Sequence, residues 1–447
     1  MVTRLKEETI IFISVVKWII LAIGVGIVTG FSTTVYVKAL NAAVGLNRYS
    51  PYFFLLMPLG FLLSAFMIKY ISPGGMVPGA GLAIEAVNKN SGKIRFLSIP
   101  VEFFASIITI ATGGSAGKEG PSMFIGGGLA SFLSDIFRFD AADRRKLVIC
   151  GMCGGFASVF GAPLAGAMYG LEVIAIGTIL YDVMLPAFVS GIVSYHVSSS
   201  LGVAYFYNPI SIVPVFSKLF FLKVIVAGIF FGLCSFLLIE GLKTGKAVYK
   251  KIDLSMPLKS LIAAVLLIVP ALLISTHPLG LGLKVMESSF EDVYIPWYDF
   301  ILKIFHTSVT LNFGGTGGKV TPMVFIGATA GNMFGRVMSM DPAMTSAIGF
   351  VSVLAGASNT PVAASILAVE LFGSEIAPYA AIACVISFII TGHRSVYPSQ
   401  SFSVKKSSSF NMELGKELEH LKIEYSHREK SLVGVIKRVW SVVKKIK

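Results

Sequence analysis

Long apolar runs recur along the chain, from Ile10 to Ala39, Tyr52 to Ile71, Phe96 to Thr112, Leu219 to Leu242, Leu258 to Ile274 and Ala377 to Thr391. Several approach the ~20 residues with which an α-helix crosses a bilayer. Other apolar segments, Pro121–Leu133 and Pro163–Ile176, are too short to span alone, and each begins at a proline. Proline suits a first helical turn, where its missing N–H would have had no partner. Between Ser72 and Ala86 the helical pattern breaks, with four glycines and two prolines in SPGGMVPGAGLAIEA. Such backbone is tolerated at membrane depth only where it lines a cavity. An ordinary surface loop has the same composition, and spacing alone leaves both readings open. The pattern predicts an all-α integral membrane protein in which some helices span and others are broken.

The broken segments come in pairs. Gly113–Gly128 reads GGSAGKEGPSMFIGGG, and 201 residues later Gly314–Thr329 reads GGTGGKVTPMVFIGAT, with Gly117/Gly318, Lys118/Lys319, Pro121/Pro322 and Phe124/Phe325 in register. A second echo, at an offset of 198, joins Gly151–Val173 to Phe350–Phe372 through Pro163/Pro361, Ala165/Ala363 and Glu172/Glu370. The chain is therefore a duplication, with expected units at residues 1–207 and 208–402 and a tail at 403–447. In each copy a glycine-rich loop runs into a helix start. Free N–H groups and the positive end of the helix dipole make such a start an anion site. Short Gly/Pro-interrupted segments at matching places in two halves are also a pointer to a transporter's binding site.

Composition supports this picture: 55% of the 447 residues are hydrophobic and 14% charged, against roughly 25% charged in soluble domains. The net charge of +13 does not imply a nucleic-acid partner, because the basic residues sit at membrane edges and in the tail, as positive-inside topology requires. The basic loop with Lys243, Lys246, Lys250 and Lys251 is expected inside, and the acidic stretch with Glu287, Glu291, Asp292 and Asp299 outside. The N-terminal apolar stretch exceeds a signal peptide's core and reads as a retained first helix. Cys150 and Cys153 lie in a small-residue helix suited to close packing rather than to redox or zinc chemistry. The tail holds eleven Lys/Arg against five Asp/Glu. Met412–Glu429 there reads as a charged helix, and Val433–Lys447 as a segment for an anionic leaflet, or the whole as a plain solvated tail.

Glu119 is the residue with chemistry to explain. A carboxylate within a membrane segment costs on the order of 2.5–3.5 kcal/mol on insertion scales and is a functional hypothesis by default. Two residues ahead of Pro121, it is placed to accept backbone N–H bonds at that helix start and so to compete with a free anion. Protonation weakens that competition, which links anion occupancy to proton uptake. Helix capping at a membrane surface is the plain alternative.

These residues resemble the CLC family of anion channels and anion/proton antiporters. GKEGP at Gly117–Pro121 is similar to that family's G(K/R)EGP motif, whose glutamate gates the anion path. GKVTP at Gly318–Pro322 sits where the family has GxFxP, GAGLA at Gly79–Ala83 sits where many members have GSGIP, and Tyr397 in GHRSVYPSQ resembles a tyrosine whose hydroxyl helps bind the central anion. The resemblance covers roughly Val16 to Gln400. It implies two inverted repeats of tilted and broken helices, a homodimer in the cell membrane, and transport of a halide, chloride first and fluoride second, in exchange for protons. It further implies gating by Glu119 and anion contacts from Ala80, Gly81, Gly120, Lys319, Val320, Thr321, Phe325 and Tyr397. Ala80 replaces a frequent serine, and Thr321 adds a hydroxyl that partly replaces the missing donor. Val173 stands where many antiporters carry their internal proton acceptor, next to Glu172, so a passive chloride channel is the alternative. No cofactor is implied, and a membrane enzyme or a non-transporting scaffold is a remote reading. The glycine-lysine loops lack the Ser/Thr and spacing of a P-loop, and the six histidines lack metal-ligand spacing.

Overall fold

The computed structural model describes residues 2–210, 217–291, 293–407, 409–418 and 424–425. The first half comprises α1 (Val2–Gly45), α2 (Met57–Phe66), α3 (Ala80–Lys89), α4 (Ser98–Ala111), α5 (Glu119–Ile136), α6 (Ala141–Phe160), α7 (Pro163–Glu172) and α8 (Tyr181–Ser200). The second comprises α9 (Lys218–Lys251), α10 (Met256–Leu273), α11 (Leu283–Ser288), α12 (Asp299–Asn312), α13 (Val320–Met338), α14 (Pro342–Ser358), α15 (Pro361–Phe372) and α16 (Ala377–Ile390). Beyond α16 the chain returns to the first half, where Ser401–Phe402 pairs in parallel with Ala175–Ile176.

Among the described residues, four helical stretches are long and apolar enough to span: Lys6–Tyr49, Phe53–Ile71, Lys218–Lys251 and Met256–Leu273. The runs at Phe96–Thr112 and Ala377–Thr391 become α4 and α16, helices of 14 residues each. At 1.5 Å per residue these are about 21 Å long, short of the ~30 Å hydrocarbon core. Their ends therefore have to be satisfied by protein, which is the arrangement a broken-helix transporter needs.

The duplication is visible in local chemistry. Asp140 caps α6 by accepting the Asp143 N–H at 2.7 Å, and Asp341 caps α14 by accepting that of Met344 at 2.7 Å. The same two helices end in left-handed residues, Gly161 and Asn359, the usual way to stop a helix. α5 crosses α6 where Gly126 faces Gly151, and α13 crosses α14 where Gly327 faces Gly349; a Cβ on any of the four would run into the opposite carbonyl oxygen. Helix pairs touching backbone to backbone at small residues are the membrane mode of packing. Cys153 belongs to this layer: its Sγ donates to the Ala167 carbonyl at 3.3 Å and fills the space beside Gly170.

Glu172 and Glu370 show how the halves relate. The Glu172 carboxylate accepts the N–H groups of Val362 (3.1 Å) and Ala363 (2.8 Å) at the start of α15. The Glu370 carboxylate accepts those of Leu164 (3.0 Å) and Ala165 (2.8 Å) at the start of α7. Each helix carries in its last turn the glutamate that caps its counterpart. Contacts exchanged in this way between equivalent residues are those of a two-fold relation, here an inverted repeat.

Three expectations need correction. The break at Ser72–Ala86 ends sooner, because α3 already begins at Ala80; Gly74–Val77 is exposed surface loop, whereas Pro78–Ala80 is buried. Asp299 does not face water with the acidic loop: it is buried at the start of α12, its Oδ2 2.6 Å from Nδ1 of His277. Met412–Leu418 is turn and bridge rather than helix, and Phe410–Asn411 pairs with Glu424–Tyr425. Met412 packs with Ile176 and Phe402, Leu418 lies against them, and its N–H donates to the Gln400 carbonyl at 3.0 Å, so contacts with preceding segments hold this stretch in a non-helical form. Asp292, most of the rest of that segment, and Val433–Lys447 lie outside the described residues.

Glu370→Ala removes the acceptor of two N–H groups at the start of α7, and the loss of a cap costs about 0.5–2 kcal/mol. It is expected to lower the midpoint of unfolding in detergent, and Glu172→Ala to lower it comparably because the caps are equivalent. An unchanged midpoint for both would mean that water replaces the carboxylates.

Candidate anion-binding and gating site

The two glycine motifs meet at one point. Gly117 N–H donates to the Gly318 carbonyl and Gly318 N–H to the Gly117 carbonyl, each at 2.7 Å. Around this pair Ser115 N–H donates to Thr310 Oγ1 (3.0 Å) and Thr316 N–H to Thr109 Oγ1 (3.2 Å), again exchanging equivalent positions. Glycine is required here because a Cβ on Gly117 would lie 2.6 Å from Thr321 Oγ1, and one on Gly318 2.7 Å from the Gly120 nitrogen. The crossing thus sets the first turns of α5 and α13 against each other, and the N–H groups of a first turn have no intrahelical acceptor.

Glu119 is the first residue of α5 and is buried. Its Oε2 accepts the Thr321 hydroxyl at 2.6 Å and the Thr321 N–H at 3.1 Å. The carboxylate therefore serves the start of α13, not the Pro121 helix start that the sequence suggested. The reason is geometric: side chains in the first turn lean back past their own N-terminus, and the glycine crossing brings the other helix start to that place. Thr321 in turn gives its hydroxyl to Glu119, so that hydroxyl is engaged by the carboxylate.

Beside the crossing opens a vestibule of about 420 Å³. Ala80 and Gly81 at the start of α3, Gly120, Lys319 and Tyr397 share its wall, with Lys246 and Lys250 of α9 at its margin. Val320, Thr321, Phe325 and Glu119 are not among its lining residues; they lie deeper, each no more than 3% exposed. Lys319 has an indirect place, its Nζ donating to the Val396 carbonyl at 2.6 Å and standing 5.2 Å from the centre of the Tyr397 ring. Tyr397 is buried, with its hydroxyl 3.5 Å from that of Tyr169. Its loop is pinned by Gln400, whose Nε2 donates to the carbonyls of Val173 and Ser358, both at 2.8 Å. The Phe325 ring packs against Gly282, with Lys303 Nζ 4.8 Å from its centre.

Sequence reasoning passed over Tyr169, Thr316 and Glu102. Tyr169 carried no signal, being one aromatic in an apolar helix. Glu102 carried one: it is an acidic residue inside the apolar run Phe96–Thr112, the same feature that singled out Glu119.

The family model described as voltage gated chloride channel matches residues 59–392. The chain belongs to this CLC family. It is similar to a chloride/fluoride channel protein of Pseudomonas syringae pv. tomato, 34% identical over 406 residues that cover 89% of each chain. A voltage-gated ClC-type chloride channel of Escherichia coli is 27% identical over 327 residues, 69% of this chain and 77% of that one. Among solved structures, a CLC-type fluoride/proton antiporter superposes with a TM-score of 0.82 at 27% identity, covering 87% of this chain and 98% of that one. A slow cyanobacterial Cl-/H+ antiporter, at 17% identity and TM-score 0.72 over 84% of this chain and 94% of that one, shares the fold. The protein is accordingly a multi-pass membrane protein of the cell membrane that carries out CLC-type anion transport, and it is not an enzyme.

Proposed function

We propose that this chain exchanges a halide for protons, with Glu119 as the coupling group. The observation that carries the reading is the Glu119 carboxylate held by Thr321 where two helix starts meet, next to a vestibule lined by backbone and Lys319. A carboxylate there and a free anion compete for the same N–H donors, and a proton on Glu119 removes the charge that makes it a competitor. The vestibule opens beside Lys246 and Lys250, so positive-inside topology puts it on the cytoplasmic side. Backbone N–H groups of Gly81, Lys319 and Val320 are the main anion donors, Ala80 and Gly120 form the wall that lets the anion approach backbone, Phe325 closes the inner end, and Tyr397 is the chief side-chain donor.

Fluoride is the first reading and chloride the second, which reverses the order expected from sequence. Ala80 offers no hydroxyl, the Thr321 hydroxyl is engaged by Glu119, and both a chloride/fluoride channel protein and a fluoride/proton antiporter are among the similar proteins. The units are taken as residues 1–207, 208–402 and 403–447, and the assembly as a homodimer in lipid with one path per subunit. Cross-linking in mild detergent is expected to trap dimers; monomers alone would remove that part.

Tyr397→Phe removes one neutral hydrogen bond, worth a net ~0.5–1.5 kcal/mol, so titration calorimetry with fluoride and chloride is expected to show severalfold weaker binding. Unchanged affinity would take Tyr397 out of the site.

Glu119→Gln keeps the shape of the protonated side chain and removes its charge. In liposomes holding only this protein, halide flux is expected to persist or rise, to lose its pH dependence, and to move no protons, with fluoride and chloride compared in parallel while pH is recorded. A wild-type protein that moves halide without protons would favour the passive channel. Retention of halide-driven proton movement in Glu119→Gln would return Glu119 to a capping role.

A further inference from the structure

α4 and α12 are equivalent helices of the repeat, and at the shared offset of 201 one carries Glu102 and the other Lys303. Both side chains are fully buried, so each half places one charge-bearing group at the same depth on opposite sides of the crossing, with opposite sign. Their surroundings differ in kind. Lys303 Nζ donates to the carbonyls of Pro278 and Gly280, both at 2.9 Å, and faces the Phe325 ring. It is satisfied, and it holds the loop ahead of α11.

Glu102 is not satisfied. Its Oε2 accepts the Thr316 hydroxyl at 2.9 Å, while Oε1 is buried without a hydrogen-bond partner among the described residues. Oε1 is aimed at Gly79, where a Cβ would stand 3.6 Å away. Gly79 and Thr316 both line the vestibule, so a hydroxyl on the vestibule wall touches the carboxylate from one side and a vestibule glycine abuts it from the other. The groups around it are few. Tyr36 of α1 donates to or accepts from Ser106 one turn along α4, at 3.1 Å. Glu119 comes from α5, and the cations that line the vestibule are Lys246, Lys250 and Lys319. No ion pair to Glu102 exists among the described residues, and its Oε1 is open to a proton.

The route onward is short in contacts. Gly317, next to Thr316, lies against Ala116 and Gly117, where a Cβ would come within 2.6 Å of the Ala116 Cβ; Gly117 lies against Glu119, a Cβ there standing 2.7 Å from Oε2. The glycine crossing thus adjoins both the Thr316 segment that holds Glu102 and the Glu119 carboxylate. We propose that Glu102 is a second proton-carrying site, which takes a proton from vestibule water through the Thr316 hydroxyl and passes it to Glu119. Thr316 gives its own hydroxyl proton to Glu102 Oε2 as it receives one from hydronium, so one O–H bond forms for each that breaks. Glu102 then releases the proton to water, which delivers it to the Glu119 carboxylate, and Glu102 returns to its ionised form. A carboxylate in this place supplies the step for which Val173, apolar and buried, has no titrating group.

This relay rests on the exchange reading, and the test separates the two. Proton and anion fluxes are recorded together in liposomes for wild type, Glu102→Gln, Glu102→Asp, Thr316→Val and Glu119→Gln. A positioned acid-base group contributes typically 10²–10⁴-fold to a proton step, so in Glu102→Gln the ratio of protons to anions moved is expected to fall by about tenfold or more. Glu102→Asp is expected to recover part of that ratio, because it keeps a titrating group, and Thr316→Val to lower it selectively even if Glu102→Gln fails to fold. A wild-type ratio in folded Glu102→Gln, or in Thr316→Val, overturns the relay while leaving Glu119 in place. A wild type that moves anions without protons overturns the exchange reading instead, and proton movement that survives in Glu119→Gln removes Glu119 as the coupling group.

Discussion

Two hydrogen bonds between Gly117 and Gly318 carry a constraint on which the remaining architecture depends. They bring two stretches of non-helical backbone together at the centre of a membrane protein, where an unpaired N–H or carbonyl costs several kcal/mol. Each stretch satisfies the other, so neither needs water or a sheet. The distance leaves no room for side chains at 117 and 318, and it places the starts of α5 and α13 face to face. The broken helices follow from that crossing: a continuous helix through either position would have no free N–H groups to offer.

The same logic accounts for the second layer. α7 and α15 start at half-buried prolines, and their orphan N–H groups are taken by Glu370 and Glu172. The glutamate caps are thus structural acceptors, and a carboxylate that caps a helix differs from one that competes with an anion only in whether an anion can reach it. Glu172 and Glu370 lie away from the vestibule walls, whereas Glu119 sits next to residues that line them. Position decides between identical chemistries.

The crossing also makes departures from symmetry informative. Equivalent places hold Glu119 and Val320, Ser115 and Thr316, Glu102 and Lys303. A repeat maintained only for packing has no reason to place opposite charges at matched buried positions, because burial of an unsatisfied charge is costly in either half. Lys303 meets that cost with two carbonyls and an aromatic ring. Glu102 meets it with one hydroxyl.

The amino-acid order by itself determined the membrane class, the duplication, the helix starts at Pro163 and Pro361 and, to within two residues, those near Pro121 and Pro322, and the singularity of Glu119. These are local or periodic properties: hydropathy over ~20 residues, a missing N–H, a repeated glycine pattern. It also fixed the close-packed role of Cys153, through the small residues around it. What it did not determine is which helix start Glu119 caps, since the partner Thr321 is 202 residues away and only the two-fold crossing brings it near. The exchange of caps between Glu172 and Glu370 was written in the aligned positions, yet aligned positions do not say whether equivalent residues touch. Asp299, read as part of an outer acidic loop, is buried and paired with His277 from another segment, and the burial of Glu102 against Thr316 likewise depends on a distant segment. Composition and spacing report what a residue can do; the dielectric around it and the partners that satisfy it are set by segments distant in sequence, and those only the tertiary structure supplied.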